Sequence, residues 1–274
     1  MYLFRLTALL AIFAPALPEH LHAQTELLSV YYNQLTRLRG DNSLSGPTIL
    51  HVREHESVYV HTSAPEESYV EKTELTIAFV PGDPDGFPIY KNTRTDSLVY
   101  ATTLGVREEQ YCVVRDTLTA ITWALSDPLE TKTFGSYTGH LAYGWHGDRL
   151  YETWFTPDIP LDHGPHKLHG LPGLILEATS VDGIVSFTFD RLDVHSGPTE
   201  PNPIALPAAD VTFSGREEYL AQEESMAQQF MKRMRSEGNT GITRHTPYAD
   251  SQIERLPGGY DPDADPDDEI PPNN

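Results

Sequence analysis

Between residues 24 and 200 no apolar run repeats at the 3.6-residue spacing of a helix. Short runs rich in Val, Ile, Tyr, Phe and Thr occur instead, each bounded by Gly, Pro, Asn or Asp. "TILHVREHESVYVHTS" alternates on both sides of a polar centre, with Leu50 and Val52 before it and Val58 and Val60 after, so a hairpin turning near Glu54–Glu56 is expected. "ELLSVYYNQL", "VEKTELTIAFV", "FPIYKN", "DSLVYATTL", "EQYCVVRDTL" and "AITWALSD" read as further short strands, with "PGDPDG" at 81–86 a loop. "GHLAYGWHGDRLYETWFT" reads as a hairpin with a tight turn at His146–Asp148. Asp182-Gly183 marks another hairpin, returning through "IVSFTFDRLDV". There the apolar parity switches from Val185, Phe187 and Phe189 to Leu192 and Val194, which predicts a bulge near Asp190–Arg191. The expected fold is mainly β: a curved antiparallel meander sheet or an open barrel.

One helix is expected, at about 214–237, after the proline-rich connection "GPTEPNPIALPAAD" at 197–210. Ser214 and Glu217 have capping-box spacing, and Gly238 suits a stop. Tyr219, Leu220, Met226, Phe230, Met231 and Met234 fall mostly on one face, which should rest on the sheet.

The first residues read as an export signal. Arg5 precedes the apolar "LTALLAIFAPAL", and the small Ala23 precedes Gln24. The run is too short to span a bilayer and Pro15 breaks it. We therefore expect 1–23 to be removed, 24–240 to form one β domain, and the product to be periplasmic or associated with the outer membrane. No later run is long enough to make an integral membrane helix. "YDPDADPDDEIPPNN" at 260–274 makes 241–274 read as an acidic tail, expected to be disordered. Asp261, Asp263 and Asp265 imitate a calcium loop, but Pro262 and Pro266 interrupt it.

The net charge of −21 argues against nucleic acid and anionic lipid as partners. The single cysteine, Cys112, excludes an intramolecular disulfide and lies in an apolar run as a core residue would. No G-x-S-x-G and no H-E-x-x-H is present. "DHGPHKLHGLPGLILEA" places His163, His166 and His169 three apart around Gly164-Pro165, hence on a loop. Such a loop could gather zinc or copper, with Asp162 as ligand or orienting carboxylate. The alternative is a surface loop with no metal role, in which His166 would be dispensable for folding. Leu171-Pro172-Gly173-Leu174 suits a type II turn with positive φ at Gly173, feeding a strand through Leu174, Ile175 and Leu176 that is buried on both faces. Lys167 is expected to pair with Glu177 or donate to open carbonyls of the turn. Tyr137, Tyr143, Trp145, Tyr151, Trp154 and Phe155 cluster, and by alternation Tyr137, Tyr143, Trp145 and Tyr151 share a face, as core packing or as the wall of an apolar cleft.

Trp154-Phe155-Thr156, Ile159-Pro160, Gly164-Pro165, Lys167-Leu168 and Gly170 to Ile175 together resemble the GLPGLI family, exported proteins found mainly in Bacteroidota. Trp123, Leu125, Glu130, Thr131, Lys132, Gly147 and Arg149 extend the resemblance, which is strong over 110–195. A cysteine common in that family after the "ETK" stretch is replaced here by "FGSYTGHLAY". The resemblance implies export and lineage but no reaction; the matching positions are turn-formers and apolar residues, and the three histidines fall in its variable gaps. The sequence thus points to a non-enzymatic envelope protein that binds a protein partner or an apolar ligand, with no cofactor. The alternative is a periplasmic metal-binding protein using the histidine loop.

Overall fold

The computed structural model describes residues 26–37, 43–62, 66–68, 87–104, 110–197, 199 and 201–236. The signal reading at 1–23, "VEKTELTIAFV", the 81–86 loop, Gly238 and the 241–274 tail lie outside them, as do the side chains of Met231 and Met234. Among the described residues the strands are β1 (Leu27–Arg37), β2 (Ser43–Arg53), β3 (Glu56–His61), β4 (Glu66–Ser68), β5 (Ile89–Asn92), β6 (Ser97–Leu104) and β7 (Gln110–Thr117). They continue as β8 (Trp123–Leu125), β9 (Thr131–Phe134), β10 (Tyr137–His146), β11 (Arg149–Thr156), β12 (Leu174–Ser180), β13 (Val185–His195) and β14 (Val211–Phe213). Helix α1 spans Arg216–Ser236. All strands join one open sheet in the order β14-β7-β6-β5-β3-β2-β1-β13-β12-β11-β10-β8, with β4 on β2 and β9 on β10.

The expected hairpins form where turn residues stand. Arg53 pairs with Glu56 across Glu54-His55, with Glu54 at φ 52°. His146 pairs with Arg149 across Gly147-Asp148. The bulge also forms: Tyr31 faces Arg191 and Tyr32 faces Phe189, leaving Asp190 as the extra residue. It lets Val185 and Phe187 stay inside while Arg191 turns out over the Tyr31 ring at 3.6 Å.

The connection after β13 crosses the outside of the sheet. Ile204 packs there with Leu27, Val58, Tyr90, Val99 and Val113. These alternate along their strands with the residues of the main core. The crossing delivers β14 parallel to β7, the one parallel pair among the described strands. α1 then rests on β7 and β14, with the Tyr219 hydroxyl donating to Thr103 O at 3.0 Å. At its start Glu218, one residue beyond the expected Glu217, accepts from Ser214 N at 2.8 Å.

Contacts across the sheet require strong curvature. β5 and β12 stand five places apart in strand order. A flat sheet would hold them about 24 Å apart at ~4.8 Å per strand. Yet Gly164 touches both: its carbonyl accepts from Lys91 Nζ on β5 at 2.6 Å, and a Cβ at 164 would lie 2.7 Å from Ile175 Cδ1 on β12. The sheet therefore curls, and the 157–173 segment between β11 and β12 fills its concave side.

Gly173 closes that segment in a way the type II turn did not anticipate. Its N–H donates to Leu171 O at 2.8 Å, so Pro172 is the centre of a three-residue turn. Gly173 itself is nearly extended, at φ 159°. Glycine is required by proximity: a Cβ there would run into the Thr156 carbonyl, 2.6 Å from its carbon. Because that obstacle is backbone, Gly173→Ala is expected to cost about 3 kcal/mol or more. Chemical denaturation would check this, and an unchanged midpoint would refute the close approach.

Candidate functional site

The 157–173 segment builds a small hairpin of its own. His163 and His169 form an antiparallel bridge, and Gly170 N donates to Asp162 O at 3.0 Å. Its tip is Gly164-Pro165-His166-Lys167, with Leu168 N donating to Pro165 O at 3.1 Å and His166 at φ 51°. Ile159, Leu161, Leu168 and Leu171 carry its apolar weight into the core. Its base is stitched to β12, Leu174 N donating to Ile159 O and Ile175 N to His163 O, both at 2.9 Å.

The histidines are not on a surface loop. His163, His166 and His169 are 0%, 2% and 7% exposed. His163 and His169 are bridge partners, while His166 stands between aromatic rings. The His166 ring stacks on Phe187 at 6.4 Å and meets the Tyr59 ring edge-on at 6.2 Å. His163 lies 3.9 Å from the Asp162 carboxylate; burial, then the Lys91 charge, hold its pKa well below the usual imidazole range. His169 Nδ1 donates to Lys167 O at 2.9 Å, and burial pushes its pKa down to about 4 against that hydrogen bond. Among the described residues, no group of three or more His, Cys, Asp or Glu side chains is placed to hold a metal ion.

Lys167 is also buried, but it does not pair with Glu177. Its Nζ lies 4.3 Å above the Tyr100 ring, while Lys132 takes Glu177 at 2.8 Å. Lys91 donates to loop carbonyls, to Gly164 O and to Leu168 O at 2.9 Å. Burial pushes its pKa down to about 7, opposed by Asp162. The sequence does carry a signal for Lys91: it shares strand parity with the inward Ile89. Trp123 holds the other side of the loop, donating from Nε1 to His169 O at 2.8 Å. Its ring lies across Gly144, where a Cβ would be 2.6 Å from Cζ3. Gly170 takes φ 87° beneath it. Pro165 is buried, whereas Pro160 and Pro172 shape exposed corners.

The aromatic cluster divides between the two faces. Because His146 pairs with Arg149, cross-strand partners in this hairpin have opposite parity. Tyr151 and Phe155 therefore face inward, while Tyr143, Trp145 and Trp154 face out, which corrects the shared face expected for Tyr151. Trp154 packs against Phe134 at 6.5 Å, with Lys132 4.8 Å above the Phe134 ring. Cys112 is buried, and its thiol is pushed up to about 11 by that burial.

Ser29 on the outer face meets two imidazoles, His51 Nδ1 and His195 Nε2, each at 2.9 Å. Neither ring bonds a carboxylate among the described residues, and Ser29 is buried. The arrangement lacks the orienting third group and the open approach that a nucleophile needs.

Two outcomes follow from the burial of the loop. His166→Ala is expected to cost about 2–4 kcal/mol, since it empties a site between two aromatic rings and leaves alanine at positive φ. A near-neutral result in equilibrium unfolding would contradict the placement. For His169 the unfolded chain takes up a proton near pH 6.5 and the folded chain only near 4. In that window acid favours unfolding, so stability falls as pH drops from 6.5 to 4. His169→Asn, which keeps a donor for Lys167 O, is expected to flatten that decline by up to about 3 kcal/mol. Identical slopes for both proteins would rule the linkage out.

A family described as "Protein of unknown function (Porph_ging)" is matched by residues 146–177, from the end of β10 through β11 and the buried loop into β12. No curated protein matches the sequence. Among solved structures the chain is similar to PNGF-II in its P21 and C2 crystal forms, with TM-scores of 0.46 and 0.45 and 12% identity. Each of those alignments covers 74% of this chain and 34% of the other, so the chain spans about a third of that protein's length.

Proposed function

We propose that the chain acts after export as a non-catalytic binding protein of the cell envelope, in the periplasm or at the outer membrane, and that its partner is a protein. The observation that carries this is the filled concavity. A curved sheet could cradle an apolar ligand, as in the lipoprotein-carrier half-barrels it resembles by analogy. Here the chain's own residues 157–173 take that place, with Leu161, Leu168 and Leu171 packed in the core and Lys91 tied to two loop carbonyls. An apolar ligand would have to displace all of these, so recognition falls to the outer surface. The matched stretch 146–177 coincides with the residues that carry the GLPGLI resemblance, which supports membership of that exported family.

Native mass spectrometry of the mature protein, isolated from the envelope without affinity histidines or chelators, tests the reading. The expected spectrum holds the bare chain and the chain with a bound protein. A stoichiometric lipid mass would sink it in favour of an apolar-ligand carrier. A zinc or copper mass removed by chelation would replace it with the metal-binding alternative.

A further inference from the structure

We infer that the outer face of the β10–β11 hairpin is a docking surface for a protein segment that presents a lysine or arginine between apolar side chains. The inference rests on the reading that the partner is a protein, and gives that partner a chemistry. Trp145 is 60% exposed and pairs across the hairpin with Leu150. Leu150 O in turn accepts from Val181 N at 2.9 Å, and Val181 is 61% exposed. Since Tyr151 pairs with Ser180, Val181 lies beside Leu150 on the same face. Trp145, Leu150 and Val181 thus form a continuous apolar row across neighbouring strands, with Tyr143 beside it. Single exposed apolar residues are ordinary, but a contiguous row is not. The chain's other tryptophans, Trp123 and Trp154, are packed against the core.

Charge selects the occupant. Tyr143 pairs with Glu152 and stands within the field of Glu130 as well, and Asp148 lies in the turn below Trp145. Among the described residues, Arg149 pairs with Asp182 and Lys132 with Glu177, while the exposed Arg37 reaches the Val181 end of the row, where a Cβ at Gly183 would lie 3.8 Å from its Nη1. Glu152, Glu130 and Asp148 therefore border the Trp145 end of the row, in a chain of net charge −21. Anionic lipid is repelled by such a rim, and a second copy would set like charge against like. A cationic side chain flanked by apolar ones satisfies both the row and its border, and can stack on the Trp145 ring.

The probe is a synthetic peptide of alternating lysine and leucine, eight residues long, titrated into the mature chain by calorimetry. Peptides with glutamate for lysine, or serine for leucine, serve as controls. The lysine–leucine peptide is expected to bind, and Trp145→Ala to weaken it by about tenfold or more, as loss of an aromatic anchor does. Glu152→Lys should weaken it as well, and both substitutions should leave the thermal midpoint nearly unchanged. Equal affinity for wild type and Trp145→Ala, equally tight binding of the lysine–serine peptide, or no binding would overturn the inference. So would a dimer, or adhesion to phosphatidylcholine vesicles, that Trp145→Ala abolishes. Photo-crosslinking in the envelope from position 145 and from the exposed Thr188 separates the two levels. Protein adducts from 188 alone would reject this surface and keep the protein-partner reading. Lipid adducts from both would reject the reading itself.

Discussion

Lys91 Nζ, buried and bonded to the carbonyls of Gly164 and Leu168, is the contact on which the curved sheet depends. Taking an ammonium out of water costs several kcal/mol. Each hydrogen bond from a charged donor returns about 1.5–3 kcal/mol. Two such bonds offset the cost only if both carbonyls stay in place, so the loop and β5 must hold together. Trp123 clasps the loop from the other arm through His169 O, and Tyr32 from the middle of the sheet donates to Ile175 O at 2.6 Å. Polar bonds from β1, β5 and β8 thus converge on 157–175 and set how far the sheet curls around it.

The glycines make those bonds reachable. Gly144 lets the Trp123 ring lie flat on β10, Gly164 lets the loop tip touch Ile175, and Gly173 lets the loop's exit pass the Thr156 carbonyl. Each is a place where a Cβ would occupy space already filled. The Gly-Leu-Pro-Gly-Leu-Ile stretch is therefore more a set of close approaches than a set of turn dihedrals: glycine for proximity, leucine for the concave core, proline for the exposed corner. The same logic makes the histidines core residues. His166 fills the gap between Tyr59 and Phe187, and His169 closes a local hydrogen bond that orders the tip.

The local features of the fold could be read from the chain because their causes are local. Alternation set β2 and β3, and short runs of β-forming residues set β1, β6 and β7. Two-residue turns placed Glu54-His55 and Gly147-Asp148, and a change of parity placed the bulge at Asp190. What escaped depends on distant residues. β9 and β14 are too short to carry a period, and β14 exists because the outer crossing brings it alongside Cys112–Val114. Parity along the chain puts Tyr151 on the face of Trp145, but the hairpin register inverts it. The histidines read as exposed because polar residues in a Gly-Pro loop usually are. Lys91, Tyr59 and Phe187, each from another strand, help to bury them, and a single sequence does not place these together.

The same folding pattern separates charge. Lys91, Lys167 and Arg149 are buried, while the acids of the described residues stand mostly half-buried or exposed. The chain has 40 acids and 19 bases, so hiding three bases makes the surface more anionic than the net charge of −21 conveys. Burial also removes those cations from competition for an approaching ligand. A surface of this kind draws cationic partners at long range, with rates that fall as salt rises, and leaves selection to short-range apolar contact. Placing Lys91, Lys167 and Arg149 inside thus leaves the surface with a larger excess of acids over bases, and with Trp145 as its one exposed tryptophan.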